Sequence, residues 1–178
     1  MKNIFYSIFV LVVTLHHVFF YIGCKKNNLI SFEFMKNYLI LSKMIILVLF
    51  YYWIKYFILD PMTLSWIPET NFGLLGILLL LFGQYLNYLS YKSLGINGIY
   101  YGKEYGKINK VNFNKFPYSH FSDPQYIGCI MTLMGLFFMF IIRKNYKIDE
   151  YGTILIAYMI LLYIYSIKFE RSCINKNI

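Results

Sequence analysis

Residues 72–91 have the sequence FGLLGILLLLFGQYLNYLSY and carry no charged side chain. A bilayer core about 30 Å thick needs roughly 20 apolar residues in a helix, because lipid offers no hydrogen-bond partner to an unpaired backbone group. A stretch of this length and composition predicts a membrane-spanning helix, since a soluble protein would expose too much apolar surface to water. The fold class follows from this segment.

Four further apolar segments lie on either side of it: residues 4–24, 38–59, 126–142 and 151–168. The chain of 178 residues is 59% hydrophobic and 14% charged, whereas soluble domains are about half apolar and a quarter charged. Segment 4–24 is longer than the apolar part of a signal peptide and has no small-x-small cleavage site, which favours a retained helix. We predict one all-α domain, residues 1–178, that is a polytopic integral membrane protein with four to five transmembrane helices; the fifth depends on whether the short segment 126–142 crosses fully.

The basic residues are spread between the apolar segments, although the net charge is +9. A nucleic-acid-binding protein would gather them in one patch, so the charge pattern argues against that class. With five crossings, the first loop, the long loop before segment 126–142 and the C-terminal tail share one side of the membrane and hold most of the lysines and arginines. The positive-inside rule predicts that this side faces the cytosol.

Glycines interrupt the apolar pattern between the third and fourth segments. Gly95, Gly98, Gly102 and Gly106 are spaced by 3, 4 and 4 residues, so in a helix they would lie on one face and form a groove without side chains. Such a groove accepts either another helix or a ligand, and spacing alone favours helix packing. Gly83 in the third segment could likewise serve either helix packing or ligand binding.

Carboxylates are scarce, eight in all, so their distribution is informative. Glu104, Asp123 and Glu170 all fall on the predicted cytosolic side, in or beside the glycine-rich loop or at the end of the last segment. Each alone could be a solvated charge, but three on one membrane face favour a site, because acids in clefts commonly carry chemistry. His16 and His17 are neighbours and point about 100° apart in a helix, so we predict no metal site there.

Three blocks rich in glycine, proline and tyrosine follow one another in this order: Leu94-Gly95-x-x-Gly98-x-Tyr100-x-Gly102-x-x-x-Gly106, Phe116-Pro117-Tyr118, and Asp123-Pro124-x-Tyr126-x-Gly128. The ordered set resembles the phospholipid methyltransferase family over about residues 72–171, with the helices of segments 4–24 and 38–59 preceding this core. The resemblance implies an enzyme that uses S-adenosylmethionine as cofactor and methyl donor. It also implies phosphatidylethanolamine and its mono- and dimethylated forms as membrane phospholipid substrates, on the way to phosphatidylcholine, in the endoplasmic reticulum.

The same resemblance assigns candidate cofactor-binding residues: Gly83, Gly95, Gly98, Gly102, Pro124, Tyr126, Gly128 and Glu170. In the family, a Gly-x-Gly on a membrane helix and a pair of acids after the last helix are implicated in cofactor binding. Here Gly83 and Glu170 match one member of each motif, whereas Leu81 and Arg171 stand at the other two positions.

Methylation of an amine also requires a proton acceptor. A headgroup amine that titrates near 10.4, like that of lysine, is uncharged in about one molecule in a thousand at neutral pH. Glu104 and Asp123 are the candidate catalytic residues, because a carboxylate can accept the proton. Tyr126 could face the positively charged sulfur through a cation–π contact, or simply anchor the protein at the membrane interface.

Two other functions stay open. Isoprenylcysteine carboxyl methyltransferases resemble the chain around the Pro124 block, but they usually have Arg-His before the proline, where this chain has Ser122-Asp123. A carboxylate acceptor would also require a nearby cation rather than an acid. A catalytically inactive membrane scaffold is favoured by the two departures from the cofactor motifs. The sequence leaves open whether the protein forms a homo-oligomer.

Overall fold

The computed structural model describes residues 2–24, 30–55, 71–101, 105–107, 116–140 and 150–175. These residues form five α-helices, in chain order: α1 Lys2–Cys24, α2 Phe32–Trp53, α3 Asn71–Ile99, α4 Pro124–Phe140 and α5 Glu150–Asn175. No strand occurs among the described residues, and the predicted all-α class is confirmed.

Helices α1, α2, α3 and α5 are long and apolar enough to cross a membrane. Helix α4 is also apolar but has 17 residues, about 25 Å at 1.5 Å per residue, which is less than the roughly 30 Å of a bilayer core. Large apolar side chains such as Ile4 and Leu161 point outward and are 66% and 64% exposed, as expected where lipid surrounds the protein. The polytopic membrane fold is therefore confirmed.

The helix boundaries differ from those that apolarity predicted. Helix α2 begins earlier, at Phe32, because the Ser31 side chain accepts a hydrogen bond from the backbone N–H of Phe34 (3.3 Å) and caps the helix. Helix α3 continues to Ile99 and α5 to Asn175, both beyond the predicted ends. The extension of α5 contains Glu170 and Arg171, which are good helix formers, so this helix continues after its apolar part ends and hydropathy underestimates its length.

Glycines allow α3 and α4 to pack with their backbones in contact. A Cβ atom on Gly83 would lie 2.6 Å from the carbonyl oxygen of Gly128, and one on Gly76 would lie 2.8 Å from that of Gly135. Small residues are the usual means of close helix approach in membranes, where van der Waals contact between helices replaces the hydrophobic effect. The small face of the third segment therefore packs against a helix.

Helix α1 is held to α2 and α5 by two buried histidines as well as by apolar contacts. His16 Nδ1 lies 2.6 Å from Ser42 Oγ of α2, and His17 Nδ1 lies 3.1 Å from Ser166 Oγ of α5. The imidazoles are 4% and 2% exposed, so each needs the hydrogen bond that its serine provides. The two rings diverge as predicted and bind different helices.

Successive helices run in opposite directions, so the bundle has two ends. At one end Tyr6 of α1 contacts both Trp53 of α2 and Tyr151 of α5. At the other end Arg171 of α5 contacts Asp123, which precedes α4. We call these the Trp53 end and the Asp123 end.

Candidate functional site

Asp123 precedes Pro124, the first residue of α4, and its backbone carbonyl accepts a hydrogen bond from Ile127 N–H (3.1 Å). An aspartate in this position usually turns its side chain onto the free N–H groups of its own helix. Here Oδ2 accepts two hydrogen bonds from Arg171, one from Nη2 (2.5 Å) and one from Nε (3.1 Å). This ion pair joins the start of α4 to the end of α5.

Glu170, one residue before Arg171, reaches the first turn of α4 as well. Its carboxylate accepts a hydrogen bond from the hydroxyl group of Tyr126, a buried residue of that turn. The Tyr126 hydroxyl also lies 3.3 Å from the Tyr101 hydroxyl. Two carboxylates, Asp123 and Glu170, therefore flank the first turn of α4.

Tyr118 joins this cluster from the loop before α4. Its hydroxyl group is hydrogen bonded to Ser90 of α3, which favours a lower pKa. Burial, and then the negative charges of Glu170 and Asp123, outweigh that bond and raise the pKa of Tyr118 to about 12. The phenol consequently remains protonated and uncharged at neutral pH, between two acids.

The N-terminal helix provides one wall of the site. The ring of Phe20 in α1 lies 5.7 Å from that of Tyr101 and 6.5 Å from that of Tyr126, measured between centroids. Tyr21 packs against Phe169 of α5 at 4.9 Å. Phe20 could not be predicted from the sequence, because nothing in an apolar helix distinguishes a phenylalanine that lines a site from one that faces lipid.

The predicted site residues do not all come together. Asp123, Tyr126 and Glu170 meet at the Asp123 end. Gly83 and Gly128 lie against each other in the contact between α3 and α4, where a side chain on either would meet the opposite backbone. Close helix packing accounts for both glycines, and their part in cofactor binding stays a prediction.

The predicted glycine face does not form in the described part of the chain. Gly95 has φ +65° and ψ 173°, which interrupts α3, and Gly106 has φ +65° and follows the helix. Gly98 lies in the last turn of α3, whereas Gly102 and Glu104 lie outside the described residues. The shared glycine face required one continuous helix, and this condition is not met, because Gly95 stands at a break where its freedom to adopt positive φ is used.

The sequence of α3, α4 and α5 is similar to that of known proteins. Residues 72–177 match the phospholipid methyltransferase family. The chain belongs to this family. The match includes Asp123, Tyr126 and Glu170 and the helices α3, α4 and α5, whereas α1 and α2 lie outside it. No solved structure matches the chain.

Three similar proteins are phospholipid methyltransferases by name. The chain is 43% identical over 73 residues to a phosphatidyl-N-methylethanolamine N-methyltransferase of Arabidopsis thaliana, over 41% of this chain and 42% of that protein. It is 36% identical over 69 residues to phosphatidylethanolamine N-methyltransferase B of Dictyostelium discoideum (39% and 34% of the two chains). It is 28% identical over 109 residues to a phosphatidyl-N-methylethanolamine N-methyltransferase of Saccharomyces cerevisiae (61% and 50%). The chain thus spans half or less of each relative's length.

The residues at the Asp123 end fit the methyl donor that the methyltransferase class implies. S-adenosylmethionine carries an ammonium group and a positively charged sulfur. The Glu170 carboxylate can accept hydrogen bonds from an ammonium group, and the rings of Phe20, Tyr101 and Tyr126 pack together next to it, a type of side chain that attracts cations. In the described part of this family member, no three His, Cys, Asp or Glu side chains are placed to share a metal ion.

Proposed function

We propose that this chain methylates the amine of phosphatidylethanolamine, or of its mono- and dimethylated forms, with S-adenosylmethionine as donor, on the way to phosphatidylcholine. The observation that carries the proposal is the meeting of Asp123, Glu170 and Tyr126 at one end of a membrane bundle of the phospholipid methyltransferase family. The names of the similar proteins refer to phosphatidylethanolamine and phosphatidyl-N-methylethanolamine, and they support the same acceptors.

Asp123 accepts the proton of the acceptor amine in this proposal. A primary amine that titrates near 10.4 arrives mostly as an ammonium ion, which has no lone pair for attack. The carboxylate attracts the ammonium group and accepts its proton, and at 15% exposure its charge is only partly screened by water. Glu104 is the second candidate for this task and lies outside the described residues.

Glu170 and the buried aromatic residues hold the donor. When bound, S-adenosylmethionine supplies a methyl group on a positively charged sulfur, which an uncharged amine can take up. The hydrogen bond from Tyr126 orients the Glu170 carboxylate, whose negative charge attracts the donor ammonium. Tyr101 and Phe20 pack beside Tyr126 and place aromatic surface near the sulfur. Fixed orientation of both ligands is the main contribution that such a site can make to the rate.

The reaction takes place at the cytosolic face of an endoplasmic-reticulum-type membrane in this proposal. The distribution of lysines and arginines predicts that the Asp123 end faces the cytosol, where the water-soluble donor is made. The lipid acceptor reaches the site laterally from the same leaflet, because the outer surface of the bundle is apolar.

The site geometry disfavours a carboxyl methyltransferase. A carboxylate acceptor would meet the two negative charges of Asp123 and Glu170 against the single positive charge of Arg171, so the net charge at the reacting centre would oppose its binding. An inactive scaffold would not bind the donor at all. Both alternatives are therefore outcomes of the test below.

The test is methylation by the purified protein in lipid nanodiscs that contain phosphatidylethanolamine, its monomethylated form or its dimethylated form. Each preparation receives S-adenosylmethionine labelled in its methyl group, and the lipid products are separated and counted. We expect label in at least one of the three lipids. Label in none of them overturns the proposal.

If no lipid is labelled, two further measurements show which alternative function explains the result. Calorimetric titration with S-adenosylmethionine separates a scaffold, which does not bind the donor, from an enzyme of different specificity. A farnesylated cysteine offered as acceptor detects a carboxyl methyltransferase, since its methyl ester is released by base whereas an N-methyl group is not.

A further inference from the structure

Arg171 stands next to the end of the candidate membrane span of α5, Glu150–Ser172. Helix α5 has 26 residues, about 39 Å at 1.5 Å per residue, which exceeds the roughly 30 Å of a bilayer core. A residue at the end of a span lies near the headgroup layer, where lipid phosphates are found. The Arg171 side chain is 57% exposed, so its guanidinium group is accessible from that layer.

The ion pair leaves part of both partners unused. Arg171 donates from Nε and Nη2 to the single oxygen Oδ2 of Asp123, although a guanidinium group has five N–H donors and usually meets both oxygens of a carboxylate. Its other N–H groups have no acceptor among the residues that the structure describes. Oδ1 of Asp123 has no hydrogen-bond partner there either. One edge of the guanidinium group and one carboxylate oxygen are thus available to a ligand.

The charges around this pair match a zwitterion. Asp123 and Glu170 carry two negative charges, and Arg171 carries one positive charge beside them. A ligand with an anionic group next to an ammonium group would place each charge near its opposite. The planar guanidinium fork matches the oxygens of a phosphate as well as those of a carboxylate, and in phosphatidylethanolamine a two-carbon bridge separates the phosphodiester from the amine.

We propose that Arg171 binds the phosphodiester of the lipid headgroup and thereby places the amine beside Asp123. This inference rests on the proposed function, and it assigns a substrate-binding residue that the sequence analysis left out. Arg171 is a positioning residue: it meets the phosphate and not the reacting nitrogen. Its loss therefore lowers the affinity for the lipid more than the rate of the bound complex.

The test compares Arg171→Gln and Arg171→Lys with Lys168→Gln. Lys168 is an exposed cation one turn earlier on α5, so its removal changes the net charge of the helix end equally. Initial rates are measured against the mole fraction of acceptor lipid at saturating donor, and against donor concentration at fixed lipid. We expect Arg171→Gln to raise the KM for lipid about tenfold and to leave the KM for the donor within about twofold.

The two other variants sharpen this result. Arg171→Lys keeps the charge but not the fork, so we expect it to restore only part of the lipid affinity. Lys168→Gln should leave the lipid KM within about twofold of the parent value. Equal effects of Arg171→Gln and Lys168→Gln overturn the proposal, because they indicate general attraction to the membrane. A rise in the donor KM instead of the lipid KM also overturns it, since the guanidinium group would then serve the donor.

Binding without turnover keeps this inference separable from the proposed function. Dihexanoylphosphatidylethanolamine and hexyloxyethylamine, an amine of similar chain length without a phosphate, are titrated into the detergent-solubilised protein. Arg171→Gln should weaken binding of the phospholipid about tenfold and leave the phosphate-free amine unchanged. If Arg171→Gln weakens binding of the phospholipid alone, but the parent protein methylates no lipid, the proposed function fails and the phosphodiester site stands. If both ligands lose affinity alike, the site fails; Arg171→Lys serves the same comparison should Arg171→Gln not fold.

Discussion

The two ends of the bundle use tyrosine in different ways. At the Trp53 end, the indole Nε1 of Trp53 donates a hydrogen bond to the Tyr6 hydroxyl (2.7 Å), and the Tyr6 ring stacks on Tyr151 at 5.4 Å between centroids. Gly152 packs directly against the indole. These groups form an aromatic contact that joins α1, α2 and α5 and contains no carboxylate, with the Lys2 ammonium 5.7 Å from the centre of the Tyr151 ring.

At the Asp123 end, tyrosines lie beside carboxylates. Tyr126 donates to Glu170, and Tyr118 lies near both Glu170 and Asp123. The comparison teaches that an abundance of membrane tyrosine is not by itself informative about function. The role of a tyrosine depends on the side chain that it contacts. A tyrosine that contacts another ring stabilises the bundle, whereas a tyrosine that contacts an acid helps to form a site. Substitutions at the two ends should therefore change different measured quantities.

The largest effect is expected for Asp123→Asn, which keeps the size of the side chain but removes the proton acceptor. The methylation rate should fall about 100-fold or more, which is the usual contribution of a general base. The thermal unfolding midpoint should change little, because the ion pair is partly exposed and such pairs contribute little to stability. Glu150→Gln, at the start of α5 and the opposite end, is the control and should keep the parent rate. A near-parent rate for Asp123→Asn would remove Asp123 from the mechanism.

Gly152→Ala tests the Trp53 end and should change stability alone. A Cβ atom at Gly152 would lie 2.9 Å from Cε2 of Trp53, a residue that is fully buried, so the added methyl group cannot be accommodated without a shift. Overpacking of this kind costs about 1–3 kcal/mol. The measurement is the unfolding midpoint in detergent together with the rate per folded molecule, and Ile154→Ala on the lipid-facing side is the control. A large loss of rate in the folded Gly152→Ala protein would contradict the prediction that the Trp53 end affects stability alone.

Glu170→Gln should weaken donor binding about tenfold, because an amide replaces the negative charge that attracts the donor ammonium. Calorimetric titration with S-adenosylmethionine measures the dissociation constant directly. Glu150→Gln on the same helix should change it less than about twofold, since an exposed charge far from the ligand is screened. Equal effects of the two substitutions would show that Glu170 does not contact the donor.

The smallest effect concerns the response of Tyr118 to alkaline pH. The pKa of Tyr118 is raised to about 12 in the folded protein, chiefly by burial, whereas a tyrosine in an unfolded chain titrates near 10. The uncharged phenol therefore stabilises the fold fully below about pH 10, and this contribution is lost as the pH rises from about 10 to about 12. Tyr118→Phe cannot ionise, so the stability advantage of the parent protein over this variant should shrink in that interval. The comparison is of unfolding midpoints at pH 9 and pH 11, and a constant difference (within roughly a degree) would contradict the assignment.

The fold was largely predictable because the bilayer imposes a length and an apolar composition on every crossing segment. The ends of the helices were not predictable from apolarity. Ser31 caps the start of α2 through a side-chain hydrogen bond, and α3 continues beyond its apolar part to Ile99. The spacing of the glycines could not tell whether the stretch is one continuous helix, because residue spacing does not reveal the positive φ of Gly95.

The site was predictable only in its components. Asp123, Tyr126 and Glu170 were named from residue type and family resemblance, and the structure places them together. The pairing of Asp123 with Arg171 joins residues 48 positions apart in the chain. Such a pair depends on how each helix is rotated about its axis, and one sequence does not contain that rotation. The same reason hid Phe20, whose ring faces the site.

The bend at Gly95 has a consequence for chirality. In the described part of the chain, apart from the adjoining backbone, no atom lies within 4 Å of the place where a Cβ atom would stand at this residue, so the space there would admit alanine. The backbone angles, φ +65° and ψ 173°, are those that an L-residue avoids, but their mirror image is an ordinary extended conformation. A D-alanine introduced at position 95 by chemical ligation should therefore keep the bend, whereas L-alanine should strain it. At this residue the protein selects for handedness and not for size.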